Sequence, residues 1–342
     1  MIVTVTPNPS LDRTYEVPAL ERGAVLRAGA ERTDPGGKGV NVSRAVAAAG
    51  RRTVAVLPLG GAPGALVASL LAEQGIEVAS VPVTGVTRSN VALAEPDGTL
   101  TKINAPGPEL SAAEAQALLA EVLSLASASN GWVACCGSLP RGVRPDWYAA
   151  VVARARAAGA RVAVDTSGPA LLAALRSRPD VVKPNAHELA GAVGRTLRTV
   201  GDVVAAAREL RARGAGAVLA SLGADGQVLV AADGVRYGHA AVGAVRSDVG
   251  AGDASLAGFL AASRTGSTSR ADCTSLAGDA GDAGFTGDAG DAALAAAVAH
   301  GAAAVQLAGS LMPTPADLAP EAVAVTRDVP LDRALTEQGS PR

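Results

Sequence analysis

The sequence predicts an α/β protein: a three-layer α/β/α core with a mostly parallel sheet, plus a small β-sheet lid. Three observations predict it. Short apolar runs alternate with amphipathic helical stretches, which is the pattern of strands joined by crossover helices. Glycine-rich and polar clusters follow directly on the apolar runs, where an open sheet of this type binds ligands. Two segments break the alternation and read as paired short strands instead.

The core strands are expected at Ile2–Thr6, Trp132–Cys136, Arg161–Asp165, Val181–Lys183 and Ala217–Ser221. Between them, 110–126 is a helix opened by a Ser111 and Glu114 capping box, with Leu118, Val122 and Leu125 on one face. A second amphipathic helix spans 200–213. GSLP, DTS, KPN and SLGADG each come immediately after a strand, so they should converge on one rim. The lid is assigned to about 11–33 and 87–104, the second pair turning at Pro96–Asp97–Gly98. Residues 264–290, which repeat AGDAGDAGFTGDAGDA, read as a low-complexity solvated insertion whose removal should be tolerated, and 319–342 as a C-terminal tail.

Composition narrows the class. The 342 residues are 49% hydrophobic, enough for a large core. A net charge of −2 offers no general attraction to nucleic acid or an anionic membrane. MIVTVTPNPS lacks the basic and apolar regions of a signal peptide, so a cytoplasmic protein is expected. The three cysteines form no CxxC pair, which indicates neither a disulfide framework nor a zinc site, and the three histidines are scattered.

The most informative stretch is SDVGAGDASLAGFLAA, from Ser247 to Ala262. Gly250, Ala251 and Gly252 are small enough to bring backbone N–H groups close to an anion at the mouth of a helix that Asp253 opens. Leu256, Phe259 and Leu260 would pack that helix rigidly into the core. The arrangement suits phosphoryl transfer, in which one carboxylate takes the proton of the attacking hydroxyl. A plain helix N-cap is the competing role for Asp253. A second glycine loop, DPGGKGVN, places Lys38 among Gly36, Gly37 and Gly39 without the spacing of a Walker A loop. In VVKPNAHELAG, Asn185 and Glu188 lie three apart and could serve one hydrated Mg²⁺, or simply a turn and an exposed helix.

Taken in order, GGKGVN, CGSLP, KPNAHE, SLGADG and GAGD resemble the carbohydrate kinases of the ribokinase or PfkB type, from Met1 to about Leu318. The opening TVTPNPSLDRTYEV resembles the branch acting on phosphorylated sugars, 1-phosphofructokinase and tagatose-6-phosphate kinase. The resemblance implies a ribokinase-like fold over 1–318, with a lid that often pairs across a homodimer. It implies ATP and Mg²⁺ as cofactors, with Asp253 as general base and the amides of Gly250 to Asp253 as anion hole. Lys183 would lie near the phosphates, Asn185 and Glu188 would organise Mg²⁺ through water, and Ser221, Gly223, Ala224 and Gly226 would border ATP. Asp12, Gly36, Gly37, Lys38 and Asn41 would line the sugar pocket, while Arg88, Asn90, Lys102 and Ser138 would bind the phosphate already present. The chain departs from its relatives at Asp248–Val249, where a hydroxyl residue is common before the glycines.

The expected reaction is phosphorylation of a ketohexose phosphate, foremost fructose 1-phosphate at its C6 hydroxyl. Tagatose 6-phosphate or fructose 6-phosphate, attacking through C1, is the alternative. A sensor that binds sugar phosphate without turnover is the alternative of another class.

Overall fold

Strands of a sheet covered by helices on both faces need apolar side chains on both, and runs such as Ile2–Val5 and Trp132–Cys136 supply them. The computed structural model describes residues 1–129, 131–263 and 285–336. Its first half runs β1 (Ile2–Val5), β2 (Ser10–Glu16), β3 (Ala30–Gly36), α1 (Lys38–Ala48), β4 (Thr53–Leu59), α2 (Gly61–Glu73), β5 (Glu77–Pro82), β6 (Arg88–Ala94), β7 (Leu100–Ile103) and α3 (Ala112–Ser129). Then come β8 (Trp132–Cys136), α4 (Trp147–Ala157), β9 (Arg161–Asp165), α5 (Gly168–Leu175), β10 (Val181–Val182), α6 (Ala186–Val193), α7 (Val200–Ala212) and β11 (Ala217–Ser221). The last elements are β12 (Gln227–Ala231), β13 (Gly234–Ala240), α8 (Ala251–Ala262), α9 (Gly287–Ala304) and β14 (Val323–Thr326).

Ten strands form one sheet in the order β14-β13-β12-β11-β10-β9-β8-β1-β4-β5. From β5 to β11 every pairing is parallel, and the β12–β14 edge is antiparallel. Helices cover both faces. Val3, Val5 and Val133 pack with Leu118, Val151, Leu189 and Val203 from α3, α4, α6 and α7. On the other face Ile2, Trp132 and Ala134 meet Val42, Leu256, Phe259 and Leu294 from α1, α8 and α9. The Ser111–Glu114 capping box forms as expected, Ser111 N–H donating to Glu114 Oε2 at 2.7 Å. Among the described residues no helix is long and apolar enough to cross a membrane.

The two irregular segments make a separate four-stranded sheet in the order β3-β2-β6-β7. Its register sets Asp12 opposite both Asp34 and Asn90. Because β3 runs on to Gly36, the lid strand leads straight into the first glycine loop and α1.

Three boundaries are corrected. The insertion predicted over 264–290 does not reach Gly290: Phe285 is fully buried, its ring stacked on Phe259 at 5.1 Å, and α9 starts at Gly287. A deletion carried through Gly290 would remove a core aromatic and the first turn of a packed helix, so tolerance is no longer expected. The remainder, 264–284, lies outside the described residues. The tail predicted from 319 is in the fold as far as 336, since β14 pairs antiparallel with β13. Finally, Asp253 does not open α8. Gly250 is the N-cap, with a left-handed φ of 77°, and Asp253 is the third helical residue.

Candidate active site

The carboxyl ends of β1, β8, β9, β10 and β11 and the N-termini of α1, α6 and α8 meet at one rim. There a chain of charges runs between elements far apart in sequence. Lys38 Nζ, on the first turn of α1, donates to Asp165 Oδ1 at 2.7 Å and to Glu188 Oε1 at 2.9 Å. Lys183 Nζ lies 3.0 Å from Asp165 Oδ2. Asp165 has no solvent exposure and Lys183 is 4% exposed, so Asp165 is the buried centre of an ion triad with Lys183 and the part-exposed Lys38, to which Glu188 adds a rim carboxylate. Burial alone would raise the Asp165 carboxyl, but Lys183 and Lys38 outweigh it and hold it below its ordinary value. Burial likewise opposes the charge on Lys38, and Asp165 and Glu188 reverse that and raise it.

Asp253 sits beside this triad without an ammonium of its own. Its Oδ2 accepts from Asn41 Nδ2 at 2.9 Å, and its side chain caps no helix N–H. Burial, and then the charge of Asp165, push its carboxyl up to about 6, with Lys183, Asn41 and Lys38 offsetting part of the rise. A carboxylate so placed is ionised at neutral pH yet basic enough to accept a proton. In front of it lies the entrance of α8, whose first i→i−4 bond is Ala254 N–H to Gly250 O, so the preceding amides lack helical partners, Ala251 N–H making only a long 3.4 Å bond to Asp248 O. A Cβ on Gly252 would lie 3.3 Å from Lys183 Nζ, so that ammonium faces the same opening.

Asn185 and Glu188 do form the reciprocal cap that competes with a ligand role. Asn185 Oδ1 accepts from Glu188 N–H at 2.8 Å and Glu188 Oε2 from Asn185 N–H at 3.0 Å. Glu188 reaches the rim as well, through Lys38. Ser221 N–H donates to Pro184 O at 3.1 Å, which brings the end of β11 beside the Lys183–Asn185 turn. Gly223 and Ala224 stand exposed in the turn that follows, and Gly226 closes it before β12.

On the lid side, Asp12 Oδ1 accepts from Asn90 Nδ2 at 2.9 Å and from Ser10 Oγ at 2.6 Å. A Cβ on Gly36 would fall 2.1 Å from Asp12 Oδ2, so only glycine fits there, and Gly37 is the N-cap residue of α1. Arg88 is not a free fork. Its Nη1 donates to Ala105 O and its Nη2 to Asn8 O, each at 2.9 Å. Ser138 Oγ is 3.5 Å from Asn8 Nδ2. Lys102 lies apart from these groups, 3.8 Å from Asp248 Oδ1 on the loop before α8. The structure thus brings Lys38, Asn41, Lys183, Asn185, Glu188, Ser221 and the 250–253 entrance together at the rim. Asp12, Asn90 and Gly36 form a neighbouring group, and Arg88 with Ser138 a third, joined by Asn8.

This geometry agrees with the family comparison: the model described as pfkB family carbohydrate kinase matches residues 6–317. The chain belongs to that family. The 1-phosphofructokinase of Rhodobacter capsulatus is 42% identical to this kinase over 266 residues, 78% of this chain and 84% of the relative. An ATP-dependent 6-phosphofructokinase isozyme 2 of Mycobacterium tuberculosis is 37% identical over 259 residues, covering 75% and 76% of the two chains. Among solved structures, phosphofructokinase-2 from Escherichia coli in complex with substrates and products superposes with a TM-score of 0.80 at 32% identity, over 92% of this chain and 96% of that one.

Three residues of the kinase site have no role assigned from sequence. Asp165, the centre of the charge triad, is placed at the rim by the DTS motif, but an aspartate ending an apolar strand shows nothing of its ion pairs. Asn8 joins Arg88 to Ser138. Arg44 is 6% exposed and sets Nη1 3.5 Å from Asn41 Oδ1, Nε on Gln74 and Nη2 3.8 Å from Asp34. It thereby favours the amide orientation that turns the Nδ2 of Asn41 to Asp253. The thiols of Cys135 and Cys136 are buried and pushed up by that burial, so they stay protonated.

Proposed function

We propose that this kinase transfers the γ-phosphoryl group of ATP to fructose 1-phosphate at its C6 hydroxyl, giving fructose 1,6-bisphosphate. The observation that carries the reading is Asp253, buried, raised to about 6, and set at a helix entrance whose amides face outward. Asn41 occupies Oδ2, which leaves Oδ1 to accept the proton of the attacking hydroxyl. As that proton leaves, the alcohol oxygen attacks the γ-phosphorus and ADP departs. The amides of Gly250 to Asp253 and the ammonium of Lys183 then hold the charge spread over the migrating group. The relatives named 1-phosphofructokinase support the choice of sugar phosphate.

Asp12, Asn90, Gly36, Gly37 and Asn41 would receive the sugar hydroxyls. Arg88 spends two of its N–H donors on carbonyls and keeps the others, among them a buried Nε with no partner among the described atoms. That anchored guanidinium, with Ser138 and Asn8 beside it, suits the phosphate already on the sugar, and Lys102 would close over from β7. Ser221, Gly223, Ala224 and Gly226 would border the nucleotide. The side chains of Asn185 and Glu188, part-exposed at the rim, would meet the Mg²⁺ carried by ATP through water, while Asp165, buried between Lys38 and Lys183, would hold those ammoniums rather than the ion. Bound there, the ion would neutralise charge on the phosphates.

Along β6 every residue is only half-buried although the strand is interior to the lid sheet, which supports a homodimer formed by covering that sheet. A kinase fed by ATP and small phosphates would work in the cytoplasm. The test is a steady-state assay of ADP release with ATP, Mg²⁺ and each of fructose 1-phosphate, fructose 6-phosphate and tagatose 6-phosphate. The highest kcat/KM is expected for fructose 1-phosphate. Preference for either other ester would reassign the substrate, and binding without ADP release would make the protein a sensor.

A further inference from the structure

The last described stretch, 327–336, lies beyond the family match at residue 317, yet it is bonded along its whole course. Its carbonyls satisfy the first amides of α7, Val200 N–H donating to Arg333 O at 3.0 Å and Gly201 N–H to Leu331 O at 2.8 Å. Leu335 N–H returns a bond to Arg198 O at 2.8 Å, and Val329 and Leu335 pack on the core. The segment then ends on Asp225. Thr336 N–H donates to Asp225 Oδ2 at 2.6 Å, Thr336 Oγ1 to Asp225 Oδ1 at 3.0 Å, and Arg333 Nη2 lies 3.4 Å from Oδ1.

Asp225 belongs to the Gly223–Asp225 turn, the glycine turn between β11 and β12. It is 3% exposed, whereas Gly223 and Ala224 next to it face solvent at the rim. The turn therefore has an inner side, gripped through the Asp225 carboxylate and through Tyr237 OH on Asp225 O at 2.6 Å, and an outer side open to a ligand. Two of the donors on that carboxylate come from Thr336. A buried carboxylate deprived of them must find water or move, and the turn moves with it.

We propose that Thr336, supported by Arg333, is a positioning residue of the nucleotide site: by holding Asp225 it fixes the 223–226 turn in the shape that receives ATP. This rests on the reading that ATP borders that turn. The sugar-phosphate side, built on the lid and α1, is untouched by the strap, so the effect should fall on one substrate only.

The test uses the full chain carrying Thr336→Ala, Thr336→Ser or Arg333→Met, with ATP and fructose 1-phosphate varied in turn. Thr336→Ala should raise the KM for ATP about five- to tenfold, less than the full worth of a hydrogen bond to a charged group because the Thr336 N–H still holds Asp225. Its KM for fructose 1-phosphate and its kcat at saturating ATP should stay within about twofold of the parent, because nothing else in the site has changed. Thr336→Ser should restore the ATP KM, and Arg333→Met should raise it less than Thr336→Ala does. Should Thr336→Ala fail to fold, Thr336→Val, which keeps the volume and the backbone donor, carries the same readout. An unchanged ATP KM, or both KM values rising together, overturns the proposal. Gly223→Val separates the two layers: if it too leaves the ATP KM unchanged, the nucleotide does not border this turn and the underlying reading fails. If it raises the ATP KM while Thr336→Ala does not, only the positioning role fails.

Discussion

Two glycine-lined helix entrances stand side by side in this kinase, at α1 and at α8, and they use the missing side chain in opposite ways. At α1 the glycines are spent on packing. A Cβ on Gly39 would come within 2.4 Å of Thr6 Oγ1 and 3.2 Å of both Val5 O and Cys136 Cβ, and one on Gly36 would strike Asp12. At α8 the space in front of Gly252 holds only the tip of Lys183, and Gly250 meets the flexible end of Met312, 2.7 Å from where a Cβ would stand. At the first entrance β1 and β8 fill the space behind Gly39 and leave only the Gly36–Gly37 side toward the proposed sugar pocket, while at the second the gap itself stays open to a ligand. Similar glycine loops in sequence therefore differ in what they can bind, because the strands behind them decide whether the gap is filled.

The contrast can be broken most forcefully at Asp253. Asp253→Asn should lower kcat by roughly 10²–10⁴, the contribution of a positioned general base, and leave ATP binding nearly intact by nucleotide titration. A loss below about threefold would take the α8 entrance out of the chemistry.

A second way reads the same carboxyl through pH. Its native value of about 6 lies above the ordinary 3.8, so the ionised form is disfavoured by folding. Activity should fall as pH drops through about 6, where the base becomes protonated. Stability runs the other way. The cost of holding the charge is present in full above that value and fades as pH falls toward 4, so Asp253→Asn should be more stable than the parent at pH 8, by on the order of 1–3 kcal/mol, and equal to it near pH 4. Thermal unfolding at the two pH values checks this, and a variant no more stable at pH 8 would refute the buried charge.

The smallest effect compares the glycines themselves. Gly39→Ala should cost about 1–3 kcal/mol of stability in denaturant unfolding, as overpacking does against the buried Thr6 hydroxyl with β1 and β8 close behind it. Gly252→Ala meets only a lysine tip and should keep its stability while losing activity. Equal stability losses would erase the distinction between the two entrances.

How much of this was legible in the sequence follows from how local each feature is. The α8 entrance, the capping box before α3 and the turns after β8 to β11 are set by neighbours within a few residues, and they were readable. Asp165 was legible as part of the DTS motif at the rim but its role was not, because an aspartate at the end of an apolar strand looks like any turn residue until β9 lies between β8 and β10. Only then do Lys38, from 127 residues away, and Lys183 close on it. The strap at 327–336 was missed for a similar reason. Its polar, proline-containing sequence has no period of its own, and its order comes from α7 and Asp225. Phe285 was hidden by the repeat around it, although one aromatic in a run of Gly, Ala and Asp was a mark that the chain returns to the core there.

The position of β1 has a consequence for how the protein is made. The strand β1 lies inside the sheet, between β4 and β8, and its neighbour at Trp132–Cys136 is synthesised more than a hundred residues after it. Until then the nascent chain carries an unpaired apolar strand edge, exposed to wrong partners and to chaperones. The bond between Asn41 and Asp253 spans 212 positions, so that side-chain pair can form only after α8 has been made.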